Sequence, residues 1–351
     1  MNLRSEHIKG KLFEFFVFRL LYSCGFDPVI PDGDFVYGEM DKLMVHGLGS
    51  SHNADVLMSP PVQIPCMYPI RLLVECKCYN KRIGLPIIRN ALGLRHDINA
   101  IEIVSEKILH NRSGNSTRKE RIYKMNRYQY QVAVAAIDDF TQSTFPFAAT
   151  HRIPLISFAK SSIFENIRKL LNEIDIEAKH NSGYAHEIRD RIRELMENPR
   201  WMVRRRFENS TFDVFCNQLL ELEKDMAIGL LTDGTILFLK KSYDIAFRDS
   251  ASRYDDGFSI HWYSEEDSTW LIRFNESQEG RIYHREYLFE LPKELYSEWK
   301  NSMNEQKIEA MRLKKQYFSH LTIYSRKPDS EVEIKRIPLS RAFIERDLSN
   351  R

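Results

Sequence analysis

The chain has no apolar run long enough to cross a bilayer; charge interrupts each one well before the roughly 18–20 residues a span requires. The opening residues, MNLRSEH, have neither the apolar stretch nor the small-residue cleavage site of a secretory signal. Cysteine is scarce. Five in 351 residues is an odd count, too sparse for a disulfide framework. A cytoplasmic, reducing location away from any membrane is therefore expected. No Gly-x4-Gly-Lys-Ser/Thr stretch is present, so the chain does not carry the phosphate cradle of an NTPase. Net charge is also nearly missing, since 51 Lys and Arg face 49 Asp and Glu, leaving +2. Partner preference must then lie in where charges cluster, not in their sum.

What is present is length for two cores and a composition, 43% hydrophobic and 28% charged, usual for globular chains. Residues 4–24 predict a helix, with Ile8, Leu12, Phe15, Phe16 and Leu20 near helical spacing and Gly25 as its stop. Short extended pieces follow, among them Ala54–Met58, closed by Ser59, Pro60 and Pro61. Ile70–Tyr79 (IRLLVECKCY) predicts the main strand of this half. Leu85–Asn99 predicts a helix with Pro86 in its first turn. Gln131–Ile137 and Ile153–Phe158 predict buried strands, with a helix at Thr141–His151 between them. Residues 1–160 thus form an expected mixed α/β domain. Residues 161–225 predict a charged helical connector. Residues 226–351 predict a C-terminal α+β domain, with a hairpin around Thr232-Asp233-Gly234, further strands to Ile337 and a helix over 292–318.

The chemistry gathers at Asp55 and at Glu75-Cys76-Lys77. Strand alternation puts Glu75 and Lys77 on one face and Cys76 and Cys78 on the other. A carboxylate and an ammonium closing an apolar strand fit two descriptions. One is a surface ion pair worth little. The other is a site where Asp55 and Glu75 offer hard oxygen ligands to Mg²⁺ and Lys77 stands beside the attacking water. Phosphodiester hydrolysis needs such a set: a cation to activate water and stabilise charge, and a basic group beside it. Glu14, flanked by Leu12, Phe13, Phe15 and Phe16, either lies on a solvent face or meets a positive partner. The Cys76-x-Cys78 pair lacks a second cysteine or histidine pair and points away from the carboxylates, which argues against zinc. His52, three residues before Asp55, is either an exposed loop histidine or close to the site.

This pattern resembles the PD-(D/E)XK nuclease superfamily, and within it the Mrr-like restriction endonucleases. Asp55 in NADVL stands for the family's acidic strand residue, Glu75-Cys76-Lys77 for its (D/E)XK triplet, and Phe13-Glu14 for its first-helix pattern. Val132–Ile137 through Ile153-Pro154-Leu155-Ile156 is similar to the strand–helix–strand that completes the core. The likeness spans roughly residues 5–160. Proline does not precede Asp55, and the insertion at 107–127 is longer than usual. The resemblance implies a restriction-endonuclease-like core, a mixed sheet flanked by helices. It further implies Mg²⁺-dependent cleavage of DNA (Mn²⁺ substituting), with Asp55, Glu75 and Glu14 on the metal and Lys77 catalytic. Restriction or antiphage defence and a homo-oligomer are its expected setting.

RNA as substrate, a gated effector awaiting a regulatory protein partner, and a non-cleaving nucleic-acid binder remain the alternatives. Arg82, Arg89, Arg118, Lys119, Arg121, Lys124 and Arg127 are the expected backbone contacts, the last five interleaved with Tyr123, Tyr128 and Tyr130 in a basic stretch. That stretch, and Arg204-Arg205-Arg206, equally fit solvated loops or faces.

Overall fold

In a computed structural model of the chain, the first helix, α1 (Ile8–Ser23), is apolar nearly all round. Ile8, Leu12, Phe13, Phe15, Phe16, Val17, Phe18, Leu20 and Leu21 are all buried, which marks an interior helix, not a surface one. Its buried Arg19 is met by the Pro199 carbonyl at 2.6 Å. Gly25 ends the turn with φ +97°, where a Cβ is costly, and Phe26 N–H closes back on Leu21 O at 3.1 Å. The structure describes residues 8–33, 35–63, 65–100, 128–159, 161–204, 210–232, 235–247, 257–264, 269–278, 281–290, 315–327 and 331–343.

Among the described residues of the first half eight strands follow: β1 (Asp27–Pro28), β2 (Val36–Glu39), β3 (Lys42–His46), β4 (Ser51–Ala54), β5 (Val56–Ser59), β6 (Ile70–Lys77), β7 (Gln129–Ala136) and β8 (Leu155–Ser157). They form a five-stranded sheet in the order β1-β5-β6-β7-β8 and a small meander, β2-β3-β4. The β5–β6 pair is antiparallel, while β6–β7 and β7–β8 are parallel. Parallel pairing requires crossovers, and helices α2 (Leu85–Ala100) and α3 (Thr144–Thr150) lie in those two connections. Leu57, Leu73, Val132, Val134 and Ala136 pack in one core with Ile88, Ala91 and Ile98 of α2 and Ala148 of α3. The face bearing Leu73 is therefore the one these helices cover. Val56, Met58, Leu72, Val74, Ala133 and Ala135, of opposite parity, are buried as well. Burial on both faces explains why β6 and β7 read as continuous apolar runs.

The helices α4 (Glu165–His180), α5 (Ser182–Glu197), α6 (Trp201–Arg204) and α7 (Thr211–Lys224) come next. Among the described residues after α7 there are seven strands: β9 (Met226–Leu230), β10 (Ile236–Phe247), β11 (Phe258–Ser264), β12 (Thr269–Gln278), β13 (Arg281–Glu290), β14 (His320–Arg326) and β15 (Val332–Pro338). They form one antiparallel sheet in the order β11-β12-β13-β10-β9-β14-β15. The two terminal strands also approach each other. Phe258 bridges Leu339 just beyond β15, Ser340 N–H donates to Phe258 O at 2.9 Å, and Lys335 of β15 pairs with Glu276 of β12. The enclosed core holds Phe258, Ile260, Trp270, Ile272, Phe289, Phe318 and Leu321.

Two units emerge. The first takes residues Met1–Tyr22, Phe26–Ser157 and Leu170–Val214; the second takes Ser23–Gly25, Phe158–Lys169 and Phe215–Arg351. The span expected as a connector, 161–225, is helical, and its helices are shared out between the units. Of the helix expected over 292–318, the structure describes residues 315–318, which are helical; the rest lies outside the described residues. The architecture is mixed α/β. Among the described residues no helix is long and apolar enough to cross a membrane.

Candidate active site

Asp55 occupies the single position between β4 and β5, where the chain leaves the meander and joins the main sheet. The β5–β6 register runs Val56↔Val74, Leu57↔Leu73 and Met58↔Leu72. Continuing it would pair Ala54 with Cys76, but Ala54 pairs with Leu43 of β3 instead. The Cys76 N–H thus loses its strand partner, and a buried amide must find another. The Asp55 carboxylate supplies it: Oδ2 accepts from Cys76 N–H at 2.8 Å. Asn53 Nδ2 donates to Oδ1 at 3.0 Å, which fixes the carboxylate's second oxygen.

Lys77 then links the acids. Its Nζ donates to Glu75 Oε2 at 2.7 Å and lies 3.6 Å from Asp55 Oδ2. These side chains are only 13–19% exposed, which removes the description as an ordinary surface ion pair. Burial and then the Asp55 charge push the Glu75 carboxyl upward. Burial alone would lower Lys77, but the Asp55 and Glu75 carboxylates outweigh it and hold the ammonium above its usual range. Two carboxylates and one cation in low dielectric leave this corner short of positive charge.

Glu14 joins from α1. It is buried, and burial followed by the Asp55 charge pushes it up to about 7, against the opposing pull of Lys11 and Lys77. Lys11 Nζ donates to Glu14 Oε2 at 2.6 Å and to the Asp41 carbonyl at 2.7 Å. The solvent-face description of Glu14 therefore does not hold. Cys76 and Cys78 are raised by burial and stay neutral thiols.

The structure thus joins Asp55, Glu75 and Lys77, with Glu14 near enough to feel the charges of Asp55 and Lys77. Residues that sequence reasoning passed over are Lys11, Asn53 and the Asp97 partner of His52. Lys11 precedes Glu14 by three positions and Asn53 precedes Asp55 by two, spacings that were legible. His52 is a strand residue, with Nε2 2.6 Å from Asp97 Oδ2; this bond and the Gly49 N–H hold Asp97 below the usual carboxylate range. Arg82 and Arg89 are exposed, and Arg89 sits 5.9 Å over the Phe147 ring. Arg118, Lys119, Arg121, Lys124 and Arg127 lie outside the described residues.

Asp55, Glu75 and Glu14 are hard oxygen donors whose charges repel one another in a buried setting, the donor chemistry that suits Mg²⁺ or Mn²⁺. Among the described residues no three Asp, Glu, His or Cys side chains are already drawn into ligand geometry. The Lys77 ammonium holds the positive position between Glu75 and Asp55, and Lys11 that on Glu14. Two clefts of this unit, of about 820 and 480 Å³, share no lining residue with the group, so its chemistry and not a cavity marks the site.

No known protein family matches the chain, and no curated protein matches it either. Among solved structures it is similar to a crystal structure of a protein of unknown function, AF1548, at 13% identity over 61% of this chain and 96% of the other, with a TM-score of 0.28.

Proposed function

We propose that the N-terminal unit is a Mg²⁺-dependent nuclease, built on a restriction-endonuclease-like core, that hydrolyses phosphodiester bonds of DNA. One observation carries this. The Lys77 ammonium lies between Asp55 and Glu75, and Asp55 is itself locked by the Cys76 amide. The mixed main sheet, with antiparallel β5 beside parallel β6, β7 and β8, is what supports proposing that core. DNA as substrate and restriction or antiphage defence as setting come from the resemblance drawn from sequence and belong to the same proposal.

Asp55 and Glu75, with Glu14 alongside, would hold the cation. Bound there, Mg²⁺ supplies Lewis acidity, lowering the pKa of water and stabilising charge on the phosphoryl oxygens. The protein's own groups do the rest. Asn53 and the Cys76 amide fix the Asp55 rotamer, so this acid needs no reorganisation as charge develops. Lys77, held protonated by its two acids, supports a role as a donor to a non-bridging phosphate oxygen or to the attacking water, not as a proton acceptor. Water adds to phosphorus as the P–O ester bond breaks; one proton leaves the water and one reaches the departing alkoxide. Lys11 keeps Glu14 within reach by anchoring it to the Asp41 carbonyl.

The test is cleavage of plasmid, single-stranded DNA and RNA with Mg²⁺, Mn²⁺ or EDTA, using the parent, Glu75→Ala and Lys77→Ala. Each variant is expected to lose at least ~10²-fold in rate, the scale seen when one electrostatic contact to a transition state is removed. Variants that cut as fast as the parent would overturn the site.

A further inference from the structure

Asp41 is held from two sides. It sits in the tight turn joining β2 to β3, just past the point where Glu39 pairs with Lys42. Gly38 takes φ +100° there, and a Cβ on it would collide with the Lys42 carbonyl, so the turn has little slack. The Asp41 carbonyl accepts from Lys11 Nζ at 2.7 Å, and the same ammonium donates to Glu14 Oε2 at 2.6 Å. The Asp41 carboxylate accepts from Arg193 Nε at 3.2 Å. Glu14 of α1 is thus tied, through one lysine and one turn residue, to a guanidinium on α5.

Exposure ranks these ties. The Arg193 side chain is 38% exposed and its Glu39 partner 64%, whereas Asp41 is only 15% exposed. The pair with Glu39, at 3.2 Å, and the 3.8 Å approach to Asp190 three residues earlier on α5 are surface contacts that add little to stability. The Asp41 pair is the shielded one, and it closes on the residue whose carbonyl Lys11 uses. Ile188, Ile192, Leu195 and Met196 bury one side of α5, which leaves Arg193 at the margin of a fixed helix. The turn is therefore braced against a rigid element and not against another loop.

We propose that Arg193 is a positioning residue of the metal site: by holding the Asp41 carboxylate it fixes the carbonyl on which Lys11 stands, and so keeps Glu14 within reach of the cation. This rests on the nuclease reading, which makes Glu14 a ligand. Charge alone predicts the opposite effect. A guanidinium near a cation site repels the cation, so its removal would tighten binding. Removing a group that orients a ligand loosens it.

The assay is Mn²⁺ binding without nucleic acid, read from the spin-resonance signal of the free ion, with metal-free thermal unfolding alongside. Arg193→Met keeps the apolar stem and loses the guanidinium. It is expected to bind Mn²⁺ about 10-fold more weakly, the lower end of the loss seen when a group behind a metal ligand is removed. Arg193→Lys, whose ammonium can still meet Asp41, is expected to recover most of that affinity. Lys11→Met breaks the relay nearer the site, and adding Arg193→Met to it is expected to change nothing further. Affinity equal to or tighter than the parent's in Arg193→Met would overturn the positioning role, as would an undiminished loss with Lys11 already replaced. So would weaker binding that merely follows a fall in metal-free unfolding temperature, in Arg193→Met and Arg193→Lys alike. The nuclease reading fails differently: Mn²⁺ that does not bind the parent, or binds as tightly after Glu75→Ala, removes the site itself and this role with it.

Discussion

Glu14 sits one helical turn beyond Lys11, buried beside a second acid, and the cost of that position depends on pH. Its folded pKa is raised from 4.5 to about 7, so the folded chain holds this proton more tightly than the unfolded one. Stability from this group is fully present below about pH 4.5 and is lost as pH rises through about 7, by up to ~3 kcal/mol. Glu75, raised by the same causes, adds in the same sense. Metal-free protein is expected to melt at a lower temperature at about pH 8 than at about pH 5, and Glu14→Gln to flatten that profile. Mg²⁺ at the higher pH is expected to restore part of the loss, since a cation favours the ionised acids, and Glu75→Ala to abolish the restoration. A profile unchanged by Glu14→Gln would place Glu14 outside the electrostatic group. At this scale much was legible, because Asp55, Glu75, Lys77 and Glu14 stand out as charges in apolar surroundings. The Asp41 carbonyl that anchors Lys11 was not, since a backbone acceptor has no sequence signature.

Among elements, the least legible is the break at Asp55. Ala54–Met58 predicted one strand, yet the chain there is the end of one sheet and the start of another. Nothing in SHNADVLMS changes composition at the crossing, and only the partner strands reveal it. By contrast β6, β7 and α2 were legible within two residues at each end, their apolar periodicity and flanking prolines being strong local signals. The crossing gives Asp55 a structural task besides its proposed chemical one. Asp55→Ala orphans the Cys76 amide and is expected to cost about 1–3 kcal/mol in urea unfolding. Asp55→Asn keeps an oxygen acceptor and is expected to recover most of that stability while remaining inactive in cleavage. Equal instability of both variants would show that the amide bond is not what Asp55 contributes.

For the whole chain, strand content after residue 226 was readable from alternation and turn residues, whereas the membership of each unit was not. The first unit recruits Leu170–Val214, as when Arg193 of α5 reaches Asp41 at 3.2 Å, and such long-range pairing leaves no local trace. The bridge between the two ends of the seven-stranded sheet was equally hidden, because it joins residues more than eighty positions apart. At Gly257 an added Cβ would overlap the Ser340 backbone. Gly257→Ala is expected to destabilise the chain by about 1–3 kcal/mol and to speed exchange of the Ser340 amide. Gly93→Ala, where an added Cβ meets nothing inside a helix, is expected to stabilise it by up to ~1 kcal/mol. Like effects from both would mean that the close approach at Gly257 does not hold the two ends of the sheet together.

That bridge also bears on how the C-terminal unit meets other chains. A sheet that ends in two open strands invites strand addition, in which unpaired amides template a partner or a misfolded neighbour. Here the first and last strands are drawn to each other at Phe258 and Leu339. Glu333 and Lys335 place charge along β15, and Pro338 closes it without a donor. Along the rest of their length the outer edges of β11 and β15 pair with no further strand among the described residues, and there the charges of β15 and Pro338 stand as the guard.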